Sequence, residues 1–377
     1  MKTTTRLCWV AVTVAAPLLL VYFLYAGTYQ PNKEDNGFRR IYGSLTAVPT
    51  DTLQAEFQYG DICGVTPHSF FVELAGRKNR VIRFDWDLRN PQSYSFGLPN
   101  NKQVWSRLHF QVDSPVVNIF AGNGPDVFKG RMDTAVPLRQ HHYPYPLFVR
   151  GFAFGDGQYL FKGFDKIGGS FRMPFILWNP ATNAQVRKIN PFATSAAQGL
   201  ESDGRIGFDT ATGQIVFVQF YRNGILTMDT DFHLGPSIRT IDTVLHGRTA
   251  DGSYQEDGAE KFTNSTPQFF VNWNTDVYDG MVYINSLLRG DNENRGDFET
   301  YSDLDAYNLR TRRYEYTLKV PRLNNRKLIS FKIADGRLVA CYPGGIVTYR
   351  LVDKNIVITK GGCRKPVNRV GAFLKTS

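Results

Sequence analysis

Between residues 59 and 350 the chain alternates short apolar runs with polar turns, and one unit returns six times. Each copy is a β-rich run that ends on a large apolar residue and then turns through polar positions. These terminal residues are Phe84, Met132, Trp178, Met228, Tyr307 and Tyr349, with spacings of 48, 46, 50, 79 and 42. A period in the forties is the length of a four-stranded propeller blade. Upstream of each anchor lie two further apolar runs joined by a tight turn. Gly155-Asp156-Gly157, Tyr278-Asp279-Gly280 and Ala334-Asp335-Gly336 are three of these turns, and Asp-Gly supplies the left-handed dihedrals that hairpin turns need.

Six units predict an all-β fold, a six-bladed β-propeller. The expected blades cover 59–98, 106–140, 147–190, 204–244, 269–320 and 328–360. A further strand over Arg40–Val48 is expected to close the ring against the last blade, which removes an exposed edge. No amphipathic helix is expected after the N-terminal segment, because no apolar run there has a period of 3.6. A seven-blade ring or two packed sandwiches are the competing architectures. In blade number and turn pattern, residues 40–365 resemble the six-bladed propellers of the TolB-like and NHL-like group. That resemblance implies a fold and a binding face, and brings no catalytic residue with it.

The N-terminus follows a different pattern. Lys2 and Arg6 precede an uncharged run from Leu7 to Gly27, long enough to cross hydrocarbon as a helix. Cleavage after Ala26 would put Leu24 at the minus-three position, where signal peptides carry small residues. A retained transmembrane anchor is therefore expected over 1–27, followed by a linker (28–39), the propeller (40–365) and a basic tail (366–377). The short leading tail places the bulk of the chain outside the cytoplasm, in a periplasmic or extracellular space. Cys63, Cys341 and Cys363 lie in that compartment, and one bridge with one buried thiol is the expectation.

In a four-stranded meander the first-to-second and third-to-fourth turns share one face of the disc, and the remaining connections share the other. The first set is expected to be two to six residues throughout. All long insertions fall in the second: 140–146, 163–172, 191–203, 245–268 and 288–299. Loops on a rigid scaffold are where binding concentrates.

The net charge of +10 is local. Residues 310–377 carry 16 Lys and Arg against 3 Asp and Glu, which leaves −3 for the rest, and 256–305 hold eleven acids against three bases. The basic end suits an anionic surface or partner. Nucleic acid is excluded by location and by the lack of a recognition motif.

Candidate site residues follow from the loops. His141, His142, Tyr143 and Tyr145 form a Pro-flanked aromatic loop suited to a protein contact, and Arg289, Asp291, Glu293 and Asp297 form a second, charged one. At the channel mouth Asp61, Arg107, Arg150, Asn272 and Asn274 are the candidates. The run Asp291–Asp297 fails the calcium-loop pattern, because Arg295 stands at the fifth ligand position and Ser302 at the twelfth. Asn264-Ser265-Thr266 is discounted for glycosylation because Pro267 follows it. No nucleophile elbow, phosphate loop or telling carboxylate pair is present, so no catalytic residue and no metal ligand is assigned. The leading expectation is a non-enzymatic module that binds a protein or peptide on its long-loop face. Its alternative is a calcium-dependent hydrolase of the lactonase type, or a small-ligand sensor, at the channel mouth.

Overall fold

The computed structural model describes residues 13, 15–23, 36–55, 59–75, 79–98, 108–122, 126–133, 138–144, 147–154, 157–167, 170–192, 199–248, 251–256 and 259–354. Arg107, Tyr145, Cys363 and the basic tail lie outside these residues. The described part of the expected anchor, 15–23, is helical. Among the described residues no helix is long and apolar enough to cross a membrane.

Six four-stranded antiparallel sheets form the propeller. Strand β1 (Leu45–Gln54) comes first in the chain and belongs to the last sheet. Blade 1 contains β2 (Tyr59–Val65), β3 (Ser69–Leu74), β4 (Arg80–Asp85) and β5 (Gln92–Ser95). Blade 2 contains β6 (Leu108–Asp113), β7 (Val116–Ala121), β8 (Asp126–Arg131) and β9 (Arg139–His142). In blade 3, β10 (Phe148–Phe154) and β11 (Gln158–Gly163) are followed by an inserted hairpin, β12 (Asp165–Ile167) and β13 (Ser170–Arg172), before β14 (Phe175–Asn179) and β15 (Ala184–Ile189). Blade 4 contains β16 (Gly204–Asp209), β17 (Gln214–Gln219), β18 (Gly224–Met228) and β19 (Ile238–Arg239), and a second inserted hairpin, β20 (Asp251–Glu256) and β21 (Ala259–Asn264), follows it. Blade 5 contains β22 (Asn272–Tyr278), β23 (Met281–Ser286), β24 (Tyr301–Asn308) and β25 (Arg313–Pro321). Blade 6 contributes β26 (Ser330–Ala334), β27 (Arg337–Tyr342) and β28 (Gly345–Asp353).

The fourth strand of blade 6 is β1, antiparallel to β28 from Leu45↔Asp353 to Gln54↔Gly345. Closure by the N-terminal segment therefore holds, with its strand displaced from 40–48 to 45–54. One short helix, α1 (Arg295–Thr300), follows the anchor among the described residues; it buries no residue and so is not an amphipathic one. Asn294 caps it by accepting from the Asp297 N–H, a polar signal that an apolar-period search passes over.

The core lies between blades. Among the described residues six apolar clusters correspond to the six junctions. Phe71 and Val81 meet Phe110 and Val117 between blades 1 and 2, and the other junctions repeat the arrangement, down to Phe70 and Val72 with Val339 and Ile346 between blades 1 and 6. Each sheet is thus apolar on both faces and needs two neighbours, a requirement only a closed ring meets. The repeat anchors Phe84, Trp178, Met228, Tyr307 and Tyr349 are all buried on third strands. Close approach at the axis requires Gly64, where a Cβ would lie 2.2 Å from the Val112 carbonyl oxygen of blade 2.

Candidate functional site

First strands surround the channel, and each carries a polar residue at its second or third position: Asp61, His109, Arg150, Arg205, Asn274 and Lys332. At the end of the channel where the long connections gather, four of these strands, β2, β6, β10 and β16, border a cavity of about 340 Å³. Asp61, His109, Arg150 and Arg205 supply its polar floor, and Asp203, Tyr221, Thr263 and Gln268 supply walls from the connections. Thr263 belongs to β21, so the hairpin after blade 4 reaches back over the mouth.

Two bidentate ion pairs set the electrostatics. Arg205 donates to Asp61 at 2.8 and 3.2 Å. Blades 1 and 4 stand opposite each other in a six-membered ring, so this pair spans the channel. A smaller cavity of about 90 Å³ lies beyond it, also bordered by Asp61 and Arg205, and the pair acts as a stopper between the two spaces. Burial acts to raise the Asp61 pKa, but Arg205, with His109 and Arg150, holds the carboxyl below its usual range. The second pair joins Arg150 to Asp203 at 3.0 and 3.1 Å, with the guanidinium also 4.9 Å from the Phe220 ring centre. Beside them His109 lies 3.4 Å from Glu73; burial pushes the Glu73 carboxyl up against the opposing influence of His109. The mouth is therefore polar, nearly balanced in charge and flanked by rings.

The channel candidates fare unequally. Asp61 and Arg150 reach the mouth, joined by His109, which the sequence did not nominate; Arg107 lies outside the described residues. Asn274 sits deeper, donating to the Ile329 carbonyl and accepting from the Thr275 N–H. Asn272 is buried in the blade 4 junction and donates to the Gln219 and Arg222 carbonyls. With Asp61 turned to Arg205, these side chains are engaged with protein groups.

The aromatic loop is corrected. Arg139–His142 is strand β9, paired with β8 through Asp126↔His142 to Lys129↔Arg139. Tyr143 is fully buried, its ring 4.6 Å from Phe161 and 5.5 Å from Trp178, and so cannot touch a partner. His142 reaches Asp126 at 3.0 Å. Burial, helped by Arg139 and Lys129, lowers the His141 pKa. An aromatic run beside prolines reads as a loop, but here it is the outer strand of a blade turning into the core.

The charged loop holds its own chain. Asp291 accepts from the Asn36 N–H at 2.8 Å, and the Arg289 carbonyl accepts from the Asn36 amide at 2.9 Å. Glu293 is buried against Arg40 and also accepts from Tyr42, which corrects its reading as a partner-contacting residue. Arg40, with no exposed side-chain surface, also pairs with Asp305 at 2.9 Å and lies 3.9 Å from Asp303. Burial acts to lower the Arg40 pKa, yet Asp305, Asp303 and Glu293 raise it overall. Asp297 binds Lys319 at 3.2 Å. Cys63 and Cys341 are both buried and free, so the expected bridge does not join them. Among the described residues, Asp229, Asp231 and His233, exposed on the short-turn face, are the one group of such side chains close enough to share a metal ion.

The face partition holds, with two amendments. The third-to-fourth turns of blades 2 and 4 span 132–138 and 229–237, seven and nine residues, longer than expected. Of the nominated insertions, 140–146 begins as the end of strand β9; 163–172 and 245–268 hold the inserted hairpins, 288–299 holds most of α1, and the described part of 191–203 ends in a single helical turn, Leu200–Ser202.

No family model matches the chain, and no curated protein matches it. Solved structures do. A member of the DUF4221 family from Bacteroides vulgatus is 12% identical with a TM-score of 0.50, covering 84% of this chain and 99% of its own. Virginiamycin B lyase from Staphylococcus aureus is 8% identical with a TM-score of 0.47, over 82% and 100%. The WD40 propeller domain of Doa1 is 8% identical with a TM-score of 0.43, over 81% and 97%. The likeness is one of fold.

Proposed function

We propose that this chain is a membrane-tethered, extracytoplasmic propeller that takes a protein or peptide partner at the long-loop mouth. The observation that carries the reading is convergence. The turn before blade 4, the hairpin β20–β21 and the first strands of four blades all border one cavity, whereas the opposite face carries no inserted hairpin or helix among the described residues. Insertions scattered by drift would not respect one face of a disc. The tether rests on the uncharged run Leu7–Gly27, whose described residues Leu18 to Phe23 are all more than half exposed, an apolar surface that needs cover.

The test places a photo-crosslinking amino acid in the full-length protein, in its own membranes, at Gln268 on the rim or at Leu234 on the short-turn face. A discrete polypeptide adduct from Gln268, reduced severalfold by Arg150→Ala, with none from Leu234, is the expected result. Adducts from Leu234, or from neither position, would overturn the reading.

A further inference from the structure

The tether is rooted on the same face as the cavity. Asn36 is held by Asp291, by the Arg289 carbonyl and by Thr243, whose hydroxyl donates to the Asn36 carbonyl at 2.7 Å. All three partners lie in long-loop-face connections of blades 4 and 5. Two residues on, Phe38 is buried among Val271 and Leu288, and Arg40 follows into its carboxylate cluster. The root is therefore fixed to the disc and cannot swing to the other face. Only eight residues separate Gly27 from Asn36, which reach at most about 26–29 Å when fully extended.

We infer that the long-loop face is the membrane-proximal face, and that the partner taken at its mouth is a short extramembrane segment of a protein embedded in the same bilayer. The inference rests on the tethered-binder reading above and adds orientation and partner class. The gap itself selects the partner. A folded domain of 100 residues has a radius of gyration of about 13 Å and so fills or exceeds such a space, whereas a loop or terminus enters it. The connection after blade 4 adds Leu245, Tyr254 and Phe269, which are 48%, 50% and 37% exposed, with Arg248 5.2 Å from the Phe269 ring centre. Aromatics paired with cations suit the headgroup zone beside such a segment.

Two measurements test this in the full-length protein. In proteoliposomes, a fluorescent amino acid replaces Tyr254 or Leu234, and energy transfer to a labelled lipid headgroup is read. Higher transfer from position 254 is expected; equal or higher transfer from 234 overturns the orientation. Failure of the protein to float with the vesicles overturns the tether itself, and is distinguishable because no transfer then occurs from either site. In native membranes, a photo-crosslinker at position 254 should yield adducts with polypeptides that resist carbonate extraction. Inserting about twenty flexible residues after Gly27 should lower that yield about sixfold, because effective concentration falls as roughly the −3/2 power of linker length. Adducts only with extractable proteins, or only with lipid, overturn the partner class.

Discussion

Arg40 and Lys162 show how single buried charges divide the work of this fold. Removing Arg40 leaves Glu293, Asp303 and Asp305 together without their cation, and breaking such a buried set costs about 3–5 kcal/mol. Arg40→Ala is expected to lower the urea midpoint accordingly, and Arg40→Lys to restore only part of the loss, since an ammonium cannot bridge Glu293 and Asp305 as the guanidinium fork does. Lys162 is the opposite case. It is fully buried, donates to the Met173 carbonyl, and lies 4.3 Å from the ring centre of Phe175 and 4.8 Å from that of Phe192. Burial pulls its pKa down to about 7, against the weaker pull of Asp203. Because the unfolded chain holds that proton up to about 10.5, stability should rise with pH between about 7 and 10.5. Lys162→Met removes the charge without opening a cavity. Chemical denaturation across that window should show the rising slope in the parent and a flatter profile in the variant.

At the scale of elements, the outer edge of blade 5 and the start of the chain behave as a latch. Burial, with Glu293 and Asp305, pushes the Asp303 carboxyl up to about 8 even though Arg40 opposes the shift. The folded state thus retains a proton that the unfolded carboxyl releases near pH 4. Stability from this site is present at low pH and declines as pH rises from about 4 to 8. Amide protection factors at residues 36–42, which are corrected for the base-catalysed intrinsic rate, should fall over that range, and Asp303→Asn should flatten that fall while keeping the segment docked. Part of this architecture was legible in the chain. Asp279-Gly280 and Asp335-Gly336 carry a turn signal in the sequence, and all four residues have positive φ, from 49° to 73°. The closing strand is visible as a further apolar run, but it begins at Leu45 and not at Arg40, because Arg40 looks like a strand residue until its partners, more than 250 positions away, are known. The excess of acids over 256–305 was the one trace of that site. Nothing local marks Tyr143 as core, because its neighbours Phe148, Phe161 and Trp178 come from the next blade. The cavity was legible in outline: a polar residue near the start of every first strand is a pattern that alignment of the six units exposes, and His109 belongs to that set although its residue type alone does not single it out.

For the whole molecule, the Asp61–Arg205 pair ties blade 1 to the blade facing it, a contact that the ring of neighbour junctions does not provide. Its side chains keep 23% and 20% of their surface, so its worth falls between an exposed pair, below about 1 kcal/mol, and a buried one, about 3–5 kcal/mol. Replacing Asp61 with Asn keeps the shape and leaves Arg205 without its counter-charge. At neutral pH the variant is expected to unfold about 1–2 kcal/mol more easily. The carboxyl is held below its usual range, so its contribution is present above the ordinary carboxylate pKa and is lost as pH falls through the lower folded value. Paired urea titrations of the parent and Asp61→Asn should therefore differ at pH 7 and converge as the pH falls below the ordinary carboxylate range. A difference that persists unchanged in acid would mean that the pair adds no charge-dependent stability. The axis would then be held by the six apolar junctions alone, and the stopper between the two cavities would be only steric.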